Sequence, residues 1–190
     1  FISVYWAGFD AVGHRYGPEG EYARAELGHL FRTLWDDCLV PLPAAAREGT
    51  VMLFVADHGQ LPTPRERAVW LAAHPDLMET LLFRPAGEAR AAYLYPRTGQ
   101  AQVLREYVAD HLADRFVLLE TERALAAGLF GPGEMPSRFR SRLGDFLLLA
   151  RDDARLVFDE GALGMAGHHG SLTPWEMVVP LLMVPLHDLE

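Results

Sequence analysis

Lysine and asparagine are missing from this 190-residue chain, and isoleucine and cysteine each occur once, at Ile2 and Cys38. All 17 basic residues are therefore arginine. Lysine, asparagine and isoleucine share AT-rich codons, so their scarcity reads as a GC-rich and hence bacterial genome, a mutational bias with no bearing on chemistry. A single cysteine excludes an intrachain disulfide and a thiolate zinc site. No apolar run approaches the ~20 residues of a membrane-spanning helix, and no signal-peptide pattern opens the chain. Positive charge is outnumbered, 17 basic against 26 acidic residues for a net charge of -9. No nucleic-acid-binding surface is evident in such a balance. A local cationic site is still allowed, because bound metal ions would supply one.

What is present suits a globular domain. Half of the residues are hydrophobic and 23% are charged. A chain of this length buries roughly 70% of its unfolded surface, which is enough for one core. The first residues, Phe1 to Ala7, are aromatic and β-branched and read as a buried strand. They include no initiating methionine, and the expectation is a piece of a larger fold.

The pattern along the chain alternates. Residues 8–18 hold three glycines and a proline and read as a loop with one helical turn. Residues 19–37 carry apolar positions at helical spacing, and Thr50 to Ala56 form a continuous apolar run typical of a strand covered on both faces. Strand, helix, buried strand is the βαβ pattern of a parallel sheet. Residues 64–74, 100–113 and 121–128 read as helices. Residues 80–84 and 90–96 read as a hairpin, and 116–119, 144–150, 154–158 and 181–184 as strands. Thr173-Pro174-Trp175-Glu176 has the form of a capping box.

Three loops carry clustered metal-type ligands. Asp10 and His14 follow the first strand, Asp57 and His58 follow the second, and His168 and His169 lie in the glycine-rich loop 161–170. Loops at the C-terminal ends of parallel strands converge on one crevice. Residues four apart, such as Asp10 and His14, share one side of a helical turn. The adjacent Asp57 and His58 can share a site only where the chain bends, which Gly59 permits. Carboxylate and imidazole together suit zinc or a similar divalent ion. Each pair alone also fits an exposed polar loop.

The three segments together bear a resemblance. Asp10-Ala11-Val12-Gly13-His14-Arg15-Tyr16-Gly17-Pro18 resembles the D-x-x-G-H-x-x-G-P segment of nucleotide pyrophosphatases/phosphodiesterases, in the alkaline phosphatase superfamily. Val55-Ala56-Asp57-His58-Gly59 resembles their S-D-H-G-M segment, with Ala56 and Gln60 as departures. Gly167-His168-His169-Gly170 and the segment Leu172 to Leu181 resemble their last metal motif and the helix after it.

The resemblance implies an alkaline phosphatase-like three-layer α/β/α fold with a mostly parallel sheet. Residues 1–190 would be the C-terminal part of one catalytic domain, and residues 61–160, which carry no motif, a substrate-pocket or cap insertion. It implies two divalent metal ions, zinc first among them. Asp10, His14 and His169 would hold one and Asp57 and His58 the other, with His168 behind them or facing substrate. It implies hydrolysis of a phosphodiester or pyrophosphate bond in a small, nucleotide-like phosphate ester, through a Thr or Ser nucleophile expected upstream of Phe1 in a missing N-terminal segment. Phosphonate hydrolysis, phosphomonoester hydrolysis and a catalytically inactive metal-binding fragment are the alternatives.

Arg138, Arg140 and Arg142 alternate, so on a strand they would share one face. They fit either contacts to substrate phosphate or a charged edge strand. Trp6, Phe9 and Trp175 lie near the motifs and fit core packing or stacking on a base.

Overall fold

A continuous apolar run forms the centre of the largest sheet. In the computed structural model, which describes residues 1–189, Phe146–Ala150 are all buried. Successive strand residues face opposite ways. Phe146, Leu148 and Ala150 accordingly enter one core cluster, and Leu147 and Leu149 the other.

In chain order the elements are α1 (Gly8–Tyr16), α2 (Glu21–Thr33), α3 (Ala44–Arg47), β1 (Val51–Val55), β2 (Leu61–Pro62), β3 (Ala68–Trp70), α4 (Pro75–Glu79), β4 (Ala86–Gly87) and β5 (Ala91–Leu94). There follow α5 (Ala101–His111), β6 (Phe116–Glu120), α6 (Thr121–Ala126), α7 (Ser137–Arg140), β7 (Phe146–Ala150), β8 (Arg155–Val157), β9 (Gly167–His168), α8 (Pro174–Met177) and β10 (Leu181–Pro185). A π-helical segment, Leu34–Leu39, extends α2 and carries Cys38.

The sheet order is β4-β5-β7-β6, antiparallel throughout. Helices cover both faces, as a doubly buried strand requires. Leu104 and Val108 of α5, four residues apart on one stripe, join Leu112 in the larger cluster. Ala124 of α6, with Leu129 and Phe130, closes the other face. The larger cluster runs from Val69 to Leu156, so the middle of the chain has its own core. Truncating a fully buried leucine such as Leu148 costs about 2–5 kcal/mol.

Several expectations are corrected. Residues 1–7 form no strand, and Phe1, Ile2, Val4 and Tyr5 are exposed. Apolar composition makes a strand only where a neighbouring edge accepts its hydrogen bonds, and none pairs with it among the described residues. The segment expected as a loop with one turn is the nine-residue helix α1. Strand β1 pairs antiparallel with β10 and is covered on one side only, with Val51, Leu53 and Val55 open. The expected βαβ unit is therefore absent among the described residues. The strand pairing is mixed, and among the described residues the parallel ladder is β3 with β8. Residues 64–74 are not a helix but two 3-10 turns around β3, because Val69 is buried in that parallel pair. Residues 138–142 are not a strand: α7 carries Arg138 and Arg140. The hairpin exists, with its turn at residues 88–90 between β4 and β5 rather than at 85–87.

Helix α5, strands β6, β7, β8 and β10, α6 and the capping-box helix α8 stand where expected.

Candidate metal centre

Three chain segments meet through glycines. A Cβ on Gly13 would stand 1.7 Å from Gln60 Oε1, one on Gly59 1.9 Å from the Trp175 carbonyl, and one on Gly167 2.5 Å from the Gly13 carbonyl. Each approach is closer than any side chain permits, so these glycines are where the three motifs contact one another. Backbone hydrogen bonds lock the contact. The Ala166 N–H donates to His14 O at 2.7 Å, the Thr63 N–H to Ala166 O at 2.9 Å, and the Gly59 N–H to Glu176 O at 2.8 Å. The β2–β9 pairing sets Leu61 opposite His168.

Helix α1 places Asp10 and His14 one turn apart, with Asp10 Oδ1 3.3 Å from His14 Nε2. His169 arrives from the loop after β9. Its Nε2 lies 3.2 Å from His14 Nε2 and 3.6 Å from Asp10 Oδ1. Asp10, His14 and His169 thus offer three ligand atoms within 4.8 Å of one another. Ligands about 2.1 Å from an ion at tetrahedral angles stand about 3.4 Å apart, so the donor set fits one divalent ion. His14 Nδ1 donates to the Gly167 carbonyl at 2.8 Å. The ring proton is then on Nδ1, and Nε2 keeps its lone pair towards the cluster.

Asp57 and His58 follow β1 at the same place. The His58 ring stacks on His169 with centroids 3.7 Å apart and planes at 19°. His58 Nδ1 donates to Gly59 O at 3.0 Å, and His58 Nε2 lies 3.7 Å from Asp57 Oδ1. These two side chains add a carboxylate and an imidazole next to the first cluster. Burial, and then the adjacent His58 ring, hold the His169 imidazole below its usual range. A neutral imidazole is the form that binds a cation.

His168 has a different environment from its neighbour. It is buried, and its Nδ1 lies 2.6 Å from Thr63 Oγ1 while Arg155 Nη1 donates to its Nε2 at 3.2 Å. Because a guanidinium only donates, His168 is neutral with its proton on Nδ1. Burial first, and then Arg155, push its pKa down to about 3. Both ring nitrogens are occupied, so His168 stands behind the cluster as a structural group.

The structure does not bring Arg138, Arg140 and Arg142 to the cluster. They flank the Leu94–Phe146 end of the antiparallel sheet, where Arg140 donates to Gly144 O at 2.8 Å and pairs with Glu122 at 2.6 Å. The metal-type ligands adjoin the opposite end, where Ser171 Oγ donates to Ala150 O at 2.7 Å. Five strand residues separate the ends by about 13 Å. Trp6 donates to Glu26 Oε1 at 2.8 Å and packs on α2, whereas Trp175 is exposed. Trp175 lines an open cleft of about 900 Å3 with Gln60, Thr63, Arg155 and Met165.

Three residues to which the sequence assigned no site role shape the site. Gln60 Nε2 donates to Asp10 Oδ1 at 3.3 Å. Arg90 and Glu176, both fully buried, form a two-point ion pair at 2.6 and 2.9 Å. The Glu176 carboxylate also accepts from the Ser171 and Thr173 N–H groups, which ties the loop after His169 to the β4–β5 turn. The capping box signalled Glu176. Only its place beside the D-H-G motif could have signalled Gln60, and nothing local marks Arg90.

The family model for type I phosphodiesterase / nucleotide pyrophosphatase matches residues 1–172. No curated protein sequence matches the chain. Among solved structures, murine ectonucleotide pyrophosphatase / phosphodiesterase 5 is similar with a TM-score of 0.62 at 16% identity, over 92% of this chain and 44% of that one. An inactive form of the same murine protein in complex with AMP is similar at 0.61 and 18%, with the same coverage. Phosphonoacetate hydrolase from Sinorhizobium meliloti in complex with phosphonoacetate is similar at 0.62 and 20%, over 92% of this chain and 43% of that one. The chain spans less than half the length of these solved relatives. Their likeness bears out the α/β, alkaline phosphatase-like fold. With 172 of its 190 residues matched, the chain belongs to the type I phosphodiesterase / nucleotide pyrophosphatase family.

Proposed function

We propose that the complete protein hydrolyses a phosphodiester or pyrophosphate bond of a small, nucleotide-like substrate with two divalent metal ions, zinc first among them. The observation that supports this most is the gathering of Asp10, His14 and His169 within 4.8 Å from two motifs far apart in the chain. In this reading these three hold one ion, and Asp57 and His58 contribute to the second. Bound divalent ions supply positive charge to the phosphoryl oxygens and to the attacking and leaving oxygens.

The chain's own residues prepare that site. His14 is held in the tautomer that presents Nε2 by its bond to Gly167 O. Burial and then His58 push the His169 imidazole below its usual range, which favours the neutral ring. The carboxylates of Asp10 and Asp57 offset cationic charge, so the site stays attractive to a phosphate ester without excess charge. The organic part of the ester lies in the cleft walled by Gln60, Met165 and Trp175. The attacking Thr or Ser hydroxyl comes from upstream of Phe1, and residues 61–160, with their own core, act as the cap of the substrate pocket.

A second reading is phosphonate hydrolysis, favoured by the equal likeness to phosphonoacetate hydrolase. Assay of the complete protein with a chromogenic phosphodiester and with phosphonoacetate, zinc added to each, separates the two. Turnover of the diester, lost in His169→Ala, is expected. Turnover of phosphonoacetate alone overturns the phosphodiesterase reading. Diester turnover by residues 1–190 alone overturns the upstream nucleophile.

A further inference from the structure

Gln60 occupies the place where the family's S-D-H-G-M segment has methionine, a side chain that donates no hydrogen bond. Here the amide Nε2 donates to Asp10 Oδ1 at 3.3 Å. That oxygen is the one turned towards His14 Nε2, at 3.3 Å, and His169 Nε2, at 3.6 Å.

The amide has a built seat. Gln60 Oε1 is buried and has no hydrogen-bond partner. A carboxylate can only accept, so facing Asp10 with Nε2 forces Oε1 to the other side, against Gly13. There it lies 1.7 Å from where a Cβ would stand, and Gln60 Cδ lies 2.8 Å from that point. The space for the amide thus exists because residue 13 has no side chain. An orphaned buried acceptor is unfavourable, and the bond to Asp10 is what the arrangement gains in exchange. The backbone on either side is pinned: the Gly59 N–H to Glu176 O, and Leu61 in register with His168.

We propose that Gln60 is a positioning residue that holds Asp10 as a single-oxygen ligand towards His14 and His169, in a seat made by Gly13. The proposal rests on the metal reading above. Hydrogen bonds to ligating carboxylates orient the ligand, and their loss commonly costs 10–100-fold in metal affinity. Gln60 also joins the loop of Asp57 and His58 to the carboxylate of the other motif, so the two halves of the site are tied by one amide.

The test uses zinc titration calorimetry on residues 1–190, unsubstituted and as Gln60→Met, a change of similar shape. Zinc binding at the site should weaken about 10-fold while the metal-free unfolding midpoint stays unchanged. Equal affinity in both proteins overturns the proposal and leaves the metal reading standing. No zinc binding by the unsubstituted chain overturns both. A metal-free cycle of Gly13→Ala, Gln60→Ala and the double variant reads the seat separately. Gly13→Ala should lower the unfolding midpoint more with Gln60 present than in the Gln60→Ala background. The same loss in both backgrounds overturns the seat.

Discussion

His58 lies flat against His169, ring centroids 3.7 Å apart and planes at 19°, although the two come from loops 111 residues apart in the chain. Burial first, and then the His58 ring at this distance, disfavour protonation of His169. Removing His58 takes away both a like-charge neighbour and part of the cover. In metal-free His58→Ala, the His169 ring should titrate closer to the ordinary imidazole value of about 6.5, followed by NMR. An unchanged titration would mean that His58 does not act on His169.

His168 gives the fold a defined pH response. Its folded pKa is about 3 against 6.5 for the ordinary group. Between those values the unfolded chain binds a proton that the folded chain refuses. This contribution to stability is complete above about pH 6.5 and is lost as pH falls towards 3, with a slope of about 1.4 kcal/mol per pH unit. His168→Gln should flatten the unfolding free energy against pH in that window by about one proton. Urea denaturation at a series of pH values measures it.

The Arg90–Glu176 pair is fully buried. Breaking one side leaves an uncompensated charge in the interior, so Glu176→Ala should cost about 3–5 kcal/mol. The paired change Arg90→Met with Glu176→Leu should recover part of that loss. The rest stays lost, because Arg90 also satisfies the Ala154 and Asp152 carbonyls and Glu176 the Ser171 N–H. Chemical denaturation of the two variants tests this, and a double variant less stable than Glu176→Ala would contradict it.

Gly59 passes under the Trp175 carbonyl with no room for a methyl group. Gly59→Ala should push the Asp57–His58 loop off α8 and cost about 1–3 kcal/mol by overpacking. Hydrogen exchange at the amide of position 59, which donates to Glu176 O, should speed up. Retained protection with full stability would contradict the close approach.

Much of the site is legible in the sequence. Asp10 and His14 sit in the first and last turns of α1, Asp57 and His58 just after β1 and His169 just after β9, and their spacing, with Gly13, Gly59 and Gly170 among them, marks them. The helices with clear apolar stripes, such as α5, and the buried run Phe146–Ala150 are legible for the same reason. Legibility fails where long-range partners decide the outcome. The strand β3 is three residues within a stretch of helical appearance, and only its ladder with β8 makes it a strand. Phe1 to Ala7 have strand composition but no paired edge among the described residues. Arg90 finds Glu176 across 86 residues, and no local pattern announces it.

The central claim is that Asp10, His14 and His169 form one cation site. Anomalous diffraction at the zinc edge, from crystals grown with zinc, tests it directly. The account predicts a peak about 2.0–2.2 Å from Asp10 Oδ1, His14 Nε2 and His169 Nε2. Fully occupied zinc elsewhere, with these three side chains gathered as described and no peak between them, would contradict it.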